Sequence, residues 1–505
     1  MIRKISKCLA LAFLILMLSI SARASDPGLQ DILDRGEDLL LEPGKEYILD
    51  KALIFRVEGQ IISTRDAEKI SDFATLRLAA GPEGTLINAE GIPGIVIETI
   101  IADGNRDNLK TPDGKVNMVP LISMGKEGGN GQIIRRCMVI NSRSAGGWAA
   151  IHVHENCSDI RIEDNIIFSA GVDVRGNGRS AQEFPLGWGD GISTAARNSI
   201  VRNNLVIDAA DEGIMVQGAP GTLVEKNMIS AVSREMLAGI ALIDPSVHYV
   251  LDSLSRRYDY RGIIVRDNII DALGSRIHIG MALGGPTWGT HFGGTTLVGA
   301  RIENNLVSGE AAAYGYAANG IDEFTVKGNK STATYSGLGD GLPGDPPDPP
   351  GAFLYDPDHI GSSKLQKEFK AMERHLIHLM RNSYSPKNKL GYRLAPYGES
   401  EARAVVRWAF IEMLGREPVE EEYGQWTGWL NSTEENADML RGFLTGTQEF
   451  RIKNDYMSPL QLLEFRTGLW TGLIKEENEK IMKSSGKWPS AKELYNNILK
   501  QIMNQ

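Results

Sequence analysis

A seven-residue phrase recurs along the middle of the chain, and this repeat limits the fold more than any other feature. Each copy begins with a β-branched or apolar residue, continues with polar residues that usually end in Asn, and closes with apolar residues. Its fourth position is occupied by Cys137, Asn165, Asn204, Asn227, Asn268, Asn305 and Asn329. The closest copies are 23 residues apart, from Asn204 to Asn227, which is too short for two helices and a turn. The repeat therefore predicts a coil of short, stacked strands.

The recurring Asn has a physical explanation in such a coil. Asn tolerates left-handed backbone angles, and its amide can hydrogen-bond to the amide of the next rung, about 4.8 Å along the stack. We therefore expect the repeated Asn side chains to form a buried ladder, in which Cys137 is a buried substitute. The pattern resembles the right-handed parallel β-helix of pectin-lyase-like proteins, which implies a mainly β fold over residues 25–341. That fold hosts lyases, hydrolases, epimerases and adhesins, so the resemblance specifies no single function.

The first residues have the pattern of a processing segment. Three basic residues precede an apolar run at 9–20, and Ala-Arg-Ala at 22–24 is typical of a cleavage site. This predicts a secretory signal peptide at 1–24 and a secreted or periplasmic protein. Cleavage would remove four basic residues and no acidic residue, so the net charge would change from −10 to −14. We expect no binding to nucleic acid by so acidic a chain, and no later segment is long and apolar enough to span a membrane.

The sequence pattern changes after residue 341. The stretch LPGDPPDPPG at 342–351 cannot form a helix or a central strand, because Pro lacks an N–H donor and fixes φ. Residues 342–360 are therefore predicted to be a stiff linker, and the apolar spacing that follows predicts a small all-α region over 361–505. Within it, residues 400–453 contain LGREP and resemble a helical module of secreted bacterial proteins that is related to phycobilisome linker domains. This resemblance implies protein–protein contacts and no chemistry.

Two acid-Gly-Ile phrases mark the best candidate site. Asp190 precedes Gly-Ile and Glu212 precedes a second Gly-Ile, and the spacing of 22 residues is about one turn of the coil. Asp190, Asp211 and Glu212 should then meet on stacked strands, where their repulsion raises at least one pKa, as a general acid requires. The alternative is that such phrases simply begin β-helix strands and that their acids lie at solvated turns.

The phrases around these acids resemble the core of polygalacturonases. That family continues with His-Gly-Ile and Arg-Ile-Lys phrases; here the first is Ala238-Gly239-Ile240, without the His, and the second corresponds in part to Arg276-Ile277-His278. The resemblance implies that the three carboxyls act as general acid and base in sugar-bond hydrolysis, and that Arg276 and His278 contact substrate. Inverting hydrolases hold their two carboxyls roughly 6.5–9.5 Å apart, a distance that outward splay from neighbouring rungs would provide.

His152 is a further candidate for proton transfer. It aligns with Ser193, one rung before the acids on the same face. His154 follows it, but the sequence offers no third ligand for a metal site there. We therefore predict no metal at these residues.

Three long insertions are expected to form a wall beside the site. They span 171–189, 244–262 and 284–294, and long loops on one side of a solenoid usually build its binding surface. Trp188, Arg179 and Trp288 lie in them and are predicted to bind substrate, since aromatic rings suit pyranose faces and Arg suits uronate carboxylates. The alternative is that the aromatic residues only pin the loops to the coil.

These observations favour a secreted polysaccharide-active enzyme, specifically a glycoside hydrolase that needs no cofactor. One form of this hypothesis has a glycan that contains uronates as the substrate. The first alternative is a non-catalytic extracellular protein that binds glycans or forms part of a surface or matrix. The second is a uronate lyase or epimerase, for which calcium would be the cofactor. In each case the expected partner is a polysaccharide or oligosaccharide.

Overall fold

The computed structural model describes most of the chain between residues 28 and 371 and one segment near 420. The described residues are 28–68, 70–81, 83–106, 119–144, 148–171, 189–231, 236–243, 256–272, 277–288, 295–309, 312–333, 335, 351–371, 403, 406, 410 and 416–432. The predicted signal peptide at 1–24 lies outside them. No helix among them is long and apolar enough to cross a membrane.

Three long parallel sheets run along the molecule, and each turn of the coil contributes one strand to each sheet in the same order. The strands of the first sheet are Leu39–Leu41, Ile61–Thr64, Val96–Glu98, Ile133–Arg135, Arg161–Glu163, Ile200–Arg202, Leu223–Glu225, Ile264–Arg266, Arg301–Glu303 and Thr325–Lys327. The strands of the second sheet are Glu46–Leu49, Ala74–Leu78, Ile100–Asp103, Met138–Ile140, Ile166–Phe168, Leu205–Ile207, Met228–Ala231, Ile269–Ala272, Leu306–Gly309 and Lys330–Ser331.

The third sheet is the longest, and a small fourth sheet lies beside it. The strands of the third sheet are Leu53–Ile54, Ile87–Asn88, Ile122–Met124, Trp148–Val153, Gly189–Thr194, Glu212–Gln217, Met236–Ile243, Ile277–Leu283, Ala312–Ala318, Phe353–Tyr355 and Lys370–Ala371. The strands of the fourth are Arg256–Asp259, Thr295–Val298 and Ile321–Asp322. The predicted fold is confirmed: this is a parallel β-helix, right-handed as connections between parallel strands are, with one apolar core inside the coil.

The predicted Asn ladder is confirmed at the corner between the first and second sheets. Asn165 Nδ2 donates to Asn204 Oδ1 over 3.0 Å, and Asn204 Nδ2 donates to Asn227 Oδ1 over 3.0 Å. The same bond continues through Asn268, Asn305 and Asn329. Each Oδ1 also accepts the backbone N–H of the preceding rung, so every ladder side chain satisfies a buried backbone donor.

The left-handed residue of this corner is not the ladder Asn, which corrects the expectation from the sequence. Positive φ occurs one position earlier, for example at Asp164 (59°), Asn203 (54°) and Lys226 (55°). At each corner, the turn therefore requires a left-handed backbone at the residue just before the ladder Asn, whereas the ladder position itself requires a side-chain amide. Cys137 lacks that amide and ends the ladder: its N–H donates to Asn165 Oδ1 over 3.1 Å, and its thiol is free and buried.

The coil is closed at both ends by segments outside the repeat. The helix Gly28–Asp34 buries Leu29 and Leu33 against the first strands. At the other end, Gln366 Oε1 accepts the backbone N–H of Asn329 over 2.9 Å and so completes the ladder. Phe353 stacks on Tyr316, with ring centroids 4.7 Å apart, and covers the last rung.

The coil therefore extends beyond the expected boundary at residue 341. The strands Phe353–Tyr355 and Lys370–Ala371 belong to the third sheet, although the sequence places the first in the linker at 342–360 and the second in the helical region at 361–505. Short strands that occur only once carry too little pattern to be separated from a linker or a helix.

One helix, Glu420–Ser432, is described in the predicted module at 400–453. Arg416, which precedes the helix, forms an ion pair of 2.7 Å with Glu422 in its first turn. Glu422 Oε2 also accepts the N–H of Val419 over 2.9 Å. This carboxylate caps the start of the helix. The rest of the module lies outside the described residues.

Candidate functional site

The candidate site is built on the outer face of the third sheet. Gly191 faces inward there, since a Cβ at that position would lie 2.4 Å from Val206 Cγ1 in the core. Gly213 and Gly239 face Ile229 and Ile270 in the same way. Packing therefore requires the Gly-Ile part of the acid-Gly-Ile phrase, in agreement with the alternative that such phrases simply begin β-helix strands. Packing inside the coil does not require the acid before it.

Strand register aligns the outward residues into two rows. The first row contains Ala149, Asp190, Glu212, Ala238, Ile279 and Tyr314. The second row contains Asn88, Ser123, His152, Ser193, Met215, Ala241, Ala282 and Ala317. Asp211 directly precedes the strand that Glu212 begins. The three acids thus meet on adjacent rungs, as the 22-residue spacing predicts.

The three carboxyls are buried and lie close together. Asp190, Asp211 and Glu212 are 0%, 4% and 3% exposed, and one oxygen of each lies within 4.8 Å of the others. Ser193 Oγ donates to Asp190 Oδ2, and the backbone N–H of Glu212 donates to Asp190 Oδ1 over 3.3 Å. The outward splay expected for an inverting pair is absent. The acids are also not at solvated turns.

Burial is the main reason that all three pKa values are raised. Loss of hydration raises the pKa of Asp190 to about 6, against hydrogen bonds from Glu212 and Ser193 that lower it. Burial and the charge of Asp190 hold the pKa of Asp211 well above its usual range, and burial with both neighbouring acids does the same for Glu212. The rise is smallest for Asp190, so this carboxyl is the one best suited to be ionised while Asp211 and Glu212 favour their protonated forms.

Two oxygens of this cluster have no hydrogen-bond partner among the described residues. They are Asp211 Oδ1 and Glu212 Oε2, and both are inaccessible to solvent. Buried polar atoms without partners are costly, so this arrangement is suited either to protonated carboxyls or to a bound cation. Three carboxylate oxygens form part of the oxygen-rich ligand set that Ca²⁺ prefers.

Arg106 holds the backbone that leads to Asp190, and nothing in the sequence pattern singled it out. Its guanidinium donates to Ser169 O and Gly171 O, each over 2.6 Å, and to Ser169 Oγ over 2.7 Å. Gly171 and Gly189, the residue before Asp190, are in such close contact that a Cβ on Gly189 would lie 2.5 Å from Gly171 Cα. The insertion between them thus starts and ends at one point, which Arg106 fixes beside the acids.

A cluster of polar and aromatic side chains lies on the preceding rungs. His152 lies in the second row, 7% exposed, beside Ser193 as predicted. The Trp148 ring lies 4.9 Å from the His152 ring and 5.8 Å from the His154 ring, in edge contacts. His154 Nε2 is 3.1 Å from Ser123 Oγ and 3.2 Å from Glu90 Oε1. Trp148 was not predicted, because it begins its strand and lies outside the recurring phrase.

The following rungs are different, because their outer face is apolar and covered. The packed side chains there are Met215, Ala238, Ala241, Ile243, Ile279, Ala282, Trp288, Ala313, Tyr314, Ala317 and Leu354. Trp288 is 2% exposed within this cluster, so it packs as the alternative interpretation of the loop aromatics describes. His278 is also buried, at 4% exposed, two rungs from Asp211 in the same strand position.

Three predicted substrate-binding residues, Trp188, Arg179 and Arg276, lie outside the described residues. Their assignment stays a prediction. The structure thus brings together the three acids and places His152 one rung away, while it separates Trp288 and His278 from them.

Comparison with protein-family models finds no match. Comparison with curated protein sequences finds none either. Among solved structures, the A-module of mannuronan C-5 epimerase AlgE6 from Azotobacter vinelandii is 14% identical with a TM-score of 0.37, over 69% of this chain and 97% of that one. The catalytic domain of a GH87 alpha-1,3-glucanase is 12% identical with a TM-score of 0.38, over 70% of this chain and 67% of that one. The Dettilon tailspike protein is 11% identical with a TM-score of 0.35, over 68% and 65%. Similarity at this level carries no information on function.

Proposed function

We propose that this protein is a glycoside hydrolase that acts on a polysaccharide, with Asp190, Asp211 and Glu212 as its proton-transfer groups. The observation that carries this proposal is the contact among three buried carboxyls whose pKa values are raised by unequal causes. Most glycoside hydrolases cleave the glycosidic bond with a pair of carboxyl groups whose pKa values differ. As a further part of the proposal, the protein is exported and the hydrolysis needs no cofactor.

The proposed step uses the proton on Glu212. Its carboxylic acid protonates the glycosidic oxygen as the bond from that oxygen to the anomeric carbon breaks. Asp190, the carboxyl with the lowest pKa of the three, accepts a proton from the water that attacks the anomeric carbon. The proton lost by Glu212 is thereby replaced through the Asp190–Glu212 hydrogen bond, and the products are two sugar chains with one water added. The expected gain from such acid–base help is about 10²–10⁴-fold in rate.

The contact distance bears on the stereochemical outcome. Water attack assisted by Asp190 inverts the anomeric centre, and inverting enzymes hold their two carboxyls roughly 6.5–9.5 Å apart, whereas retaining enzymes hold them about 5–5.5 Å apart. The three oxygens here lie within 4.8 Å of one another, so the proposed step requires the carboxyls to separate when the glycan binds. NMR of the first-formed anomer would distinguish the two classes.

The test of the proposal is a panel of polysaccharides incubated with the full-length protein. Formation of new reducing ends without unsaturated products would support hydrolysis. Unsaturated products would instead identify a lyase, and binding without any product would identify a glycan-binding protein. Absence of both activity and binding on neutral and uronate polymers alike would contradict the proposal.

A second candidate is a uronate lyase or epimerase, because the same three oxygens could ligate a cation. The residues fit Ca²⁺ in donor type and burial, and a bound cation would neutralise the carboxyls and lower their pKa values. A chelator should then abolish activity and added calcium should restore it. Hydrolysis by Glu212 predicts the opposite, since a cation in the cluster would displace the proton that the acid must donate.

A further inference from the structure

The strands that carry the site are almost free of positive charge. From Leu53–Ile54 to Phe353–Tyr355, the strands of the third sheet contain no Lys or Arg, while they contain Asp190 and Glu212. Lys126, just after the strand Ile122–Met124, is a cation on this face, and it is paired with Glu90. A carboxylate-bearing sugar placed over these rungs would thus meet ionised Asp190 above about pH 6. The guanidinium of Arg106, beside the acids, is already bonded to Ser169 and to the carbonyl of Gly171.

The cluster on the preceding rungs is neutral as a whole. Burial lowers the pKa of His154, so its ring is uncharged at pH 7. Burial alone would raise the pKa of Glu90, but hydrogen bonds from Lys126 and Ser123 hold it below its usual range, so it is ionised and balances Lys126. The cluster offers hydroxyl, imidazole and carboxylate groups, which suit the hydroxyls of a neutral sugar.

Among the described residues, the outer face of the third sheet is polar in one direction from the acids and apolar in the other. Beyond Glu212 the outer face is filled by the apolar cluster that contains Met215 and Trp288. Before Asp190 the second row continues as His152, Ser123 and Asn88. A glycan that reaches the acids can find polar partners on the described part of the sheet only toward these earlier rungs.

Trp148 lies at the start of that direction. It pairs with Gly189, so it stands one rung, about 4.8 Å, from the residue next to Asp190. It is partly exposed, and its ring is held by the edges of His152 and His154. A rigid indole with one apolar surface and polar neighbours is suited to the apolar face of a pyranose ring.

We propose that Trp148, with His154 and Ser123, forms a binding subsite for a neutral pyranose, and that the substrate is a neutral glycan that runs from the acids toward the first rungs. The inference rests on the proposed function and deepens it. Because a lyase or an epimerase needs a uronate, a neutral substrate leaves hydrolysis as the reaction.

Binding is measured by calorimetry on the full-length Asp190→Asn variant, which keeps the subsite and removes proton transfer. The probes are neutral oligosaccharides of glucan, mannan and xylan, and oligosaccharides of galacturonate and mannuronate. We expect a neutral probe to bind. Trp148→Ala should weaken its binding about tenfold, equivalent to about 1.4 kcal/mol, and Trp148→Phe should recover most of the loss. Leu40→Ala, on the outside of the first sheet and 51% exposed, is the control and should bind as the parent does.

Kinetics of the same substitutions in the active protein provide the second readout. Trp148→Ala should raise KM about tenfold with little change in kcat, as expected for a group that binds ground and transition states alike. If this variant folds poorly, His154→Gln removes one support of the indole without truncating it and should raise KM in the same direction.

Two results would overturn this inference without touching the proposed function. The first is an unchanged affinity and KM in both Trp148→Ala and His154→Gln. The second is tighter binding of uronate probes than of neutral ones. If the wild type neither binds nor cleaves any probe, the proposed function fails together with the subsite. Cleavage of a neutral glycan with unchanged KM in the Trp148 variants would leave the function standing and reject the subsite.

Discussion

Three buried carboxyls with oxygens within 4.8 Å of one another cannot all be ionised, because each new charge meets the repulsion of the others where water cannot screen it. Asp190 has partners that stabilise its ionised form, namely Ser193 Oγ and the N–H of Glu212. Asp211 and Glu212 each keep one oxygen without a partner among the described residues. The chain thus assigns different protonation states to chemically similar groups.

The first prediction concerns the role of these acids. Asp190→Asn or Glu212→Gln preserves size and removes the ionisable group, so activity should fall roughly 10²–10⁴-fold while the melting temperature stays the same or rises. Activity assays and thermal melts check this. Glu225→Gln is the matched control: Glu225 is 6% exposed and bonds Arg266 over 2.7 Å in the first sheet, so its loss should lower stability and spare activity. Full activity in both site variants would refute the assignment.

The second prediction concerns pH. A carboxyl with a raised pKa binds its proton more tightly in the folded state than in the unfolded one. For Asp190, the resulting contribution to the free energy of unfolding is fully present below the unfolded pKa of about 4 and is lost as the pH rises through about 6. The stability gained by Asp190→Asn, measured by urea unfolding, should therefore be near zero at pH 4 and increase toward pH 7.

Asp322 is the control for this experiment, because its pKa is shifted in the direction opposite to that of Asp190. Hydrogen bonds from Arg257 and Ser362 hold its pKa below the usual range, so its contribution is present at neutral pH and is lost on acidification. Asp322→Asn should destabilise the protein at pH 7, and this loss should shrink progressively as the pH falls below about 4. A gain from Asp190→Asn that does not depend on pH would show that its charge is not the cause.

At the scale of the element, each corner between the first and second sheets combines a left-handed residue with an amide that bonds both ways along the stack. Asn204 shows the arrangement: Oδ1 accepts from the backbone and the side chain of Asn165, and Nδ2 donates to Ile162 O over 2.8 Å. The ladder is parallel to the backbone bonds of the sheets, so it ties one corner of each rung to the next.

The third prediction is that Asn204→Ala weakens the whole coil. It leaves the Asn165 N–H and the Ile162 carbonyl buried without their partner, at a cost of about 1–3 kcal/mol in the free energy of unfolding. Asn130→Ala is the control, since Asn130 is exposed and its side-chain Oδ1 accepts from the N–H and the hydroxyl of Ser158 at the surface; its cost should stay within about 0.5 kcal/mol. Equal losses in the two variants, measured by urea unfolding, would argue against a special role of the ladder.

At the scale of the molecule, the coil is one stack whose end is completed from beyond the Pro-rich stretch. Leu354 pairs with Ala317 in the third sheet, and Gln366 bonds the last ladder residue. The chain therefore returns to the coil after residues 342–351 instead of leaving it. A solenoid needs such a capping segment, because each rung buries its core only against its neighbours.

The fourth prediction follows for limited proteolysis. The sequence at 342–351 cannot form regular structure, so a protease should cut there before it cuts within 353–371, which is paired with the coil. After a single cut the two fragments should co-elute in native gel filtration and separate in denaturant. Fragments that separate under native conditions would show that Phe353 and Gln366 do not hold the end of the coil.

The repeat alone was enough to determine the coil, the Asn ladder and the meeting of Asp190, Asp211 and Glu212, because a recurring phrase translates spacing along the chain directly into neighbours in the stack. Features without a recurring pattern were decided only by the tertiary structure. Gln366 ends the ladder 37 residues after Asn329, and Glu90 meets His154 across 64 residues, contacts that no local pattern encodes. Whether an aromatic residue packs or stays accessible was likewise settled by folding: Trp288 is covered by apolar neighbours, whereas Trp148 stands partly exposed beside the acids. Burial, which raises the three pKa values, is also a property of the assembled rungs, since no residue is buried until its neighbours along the stack are in place.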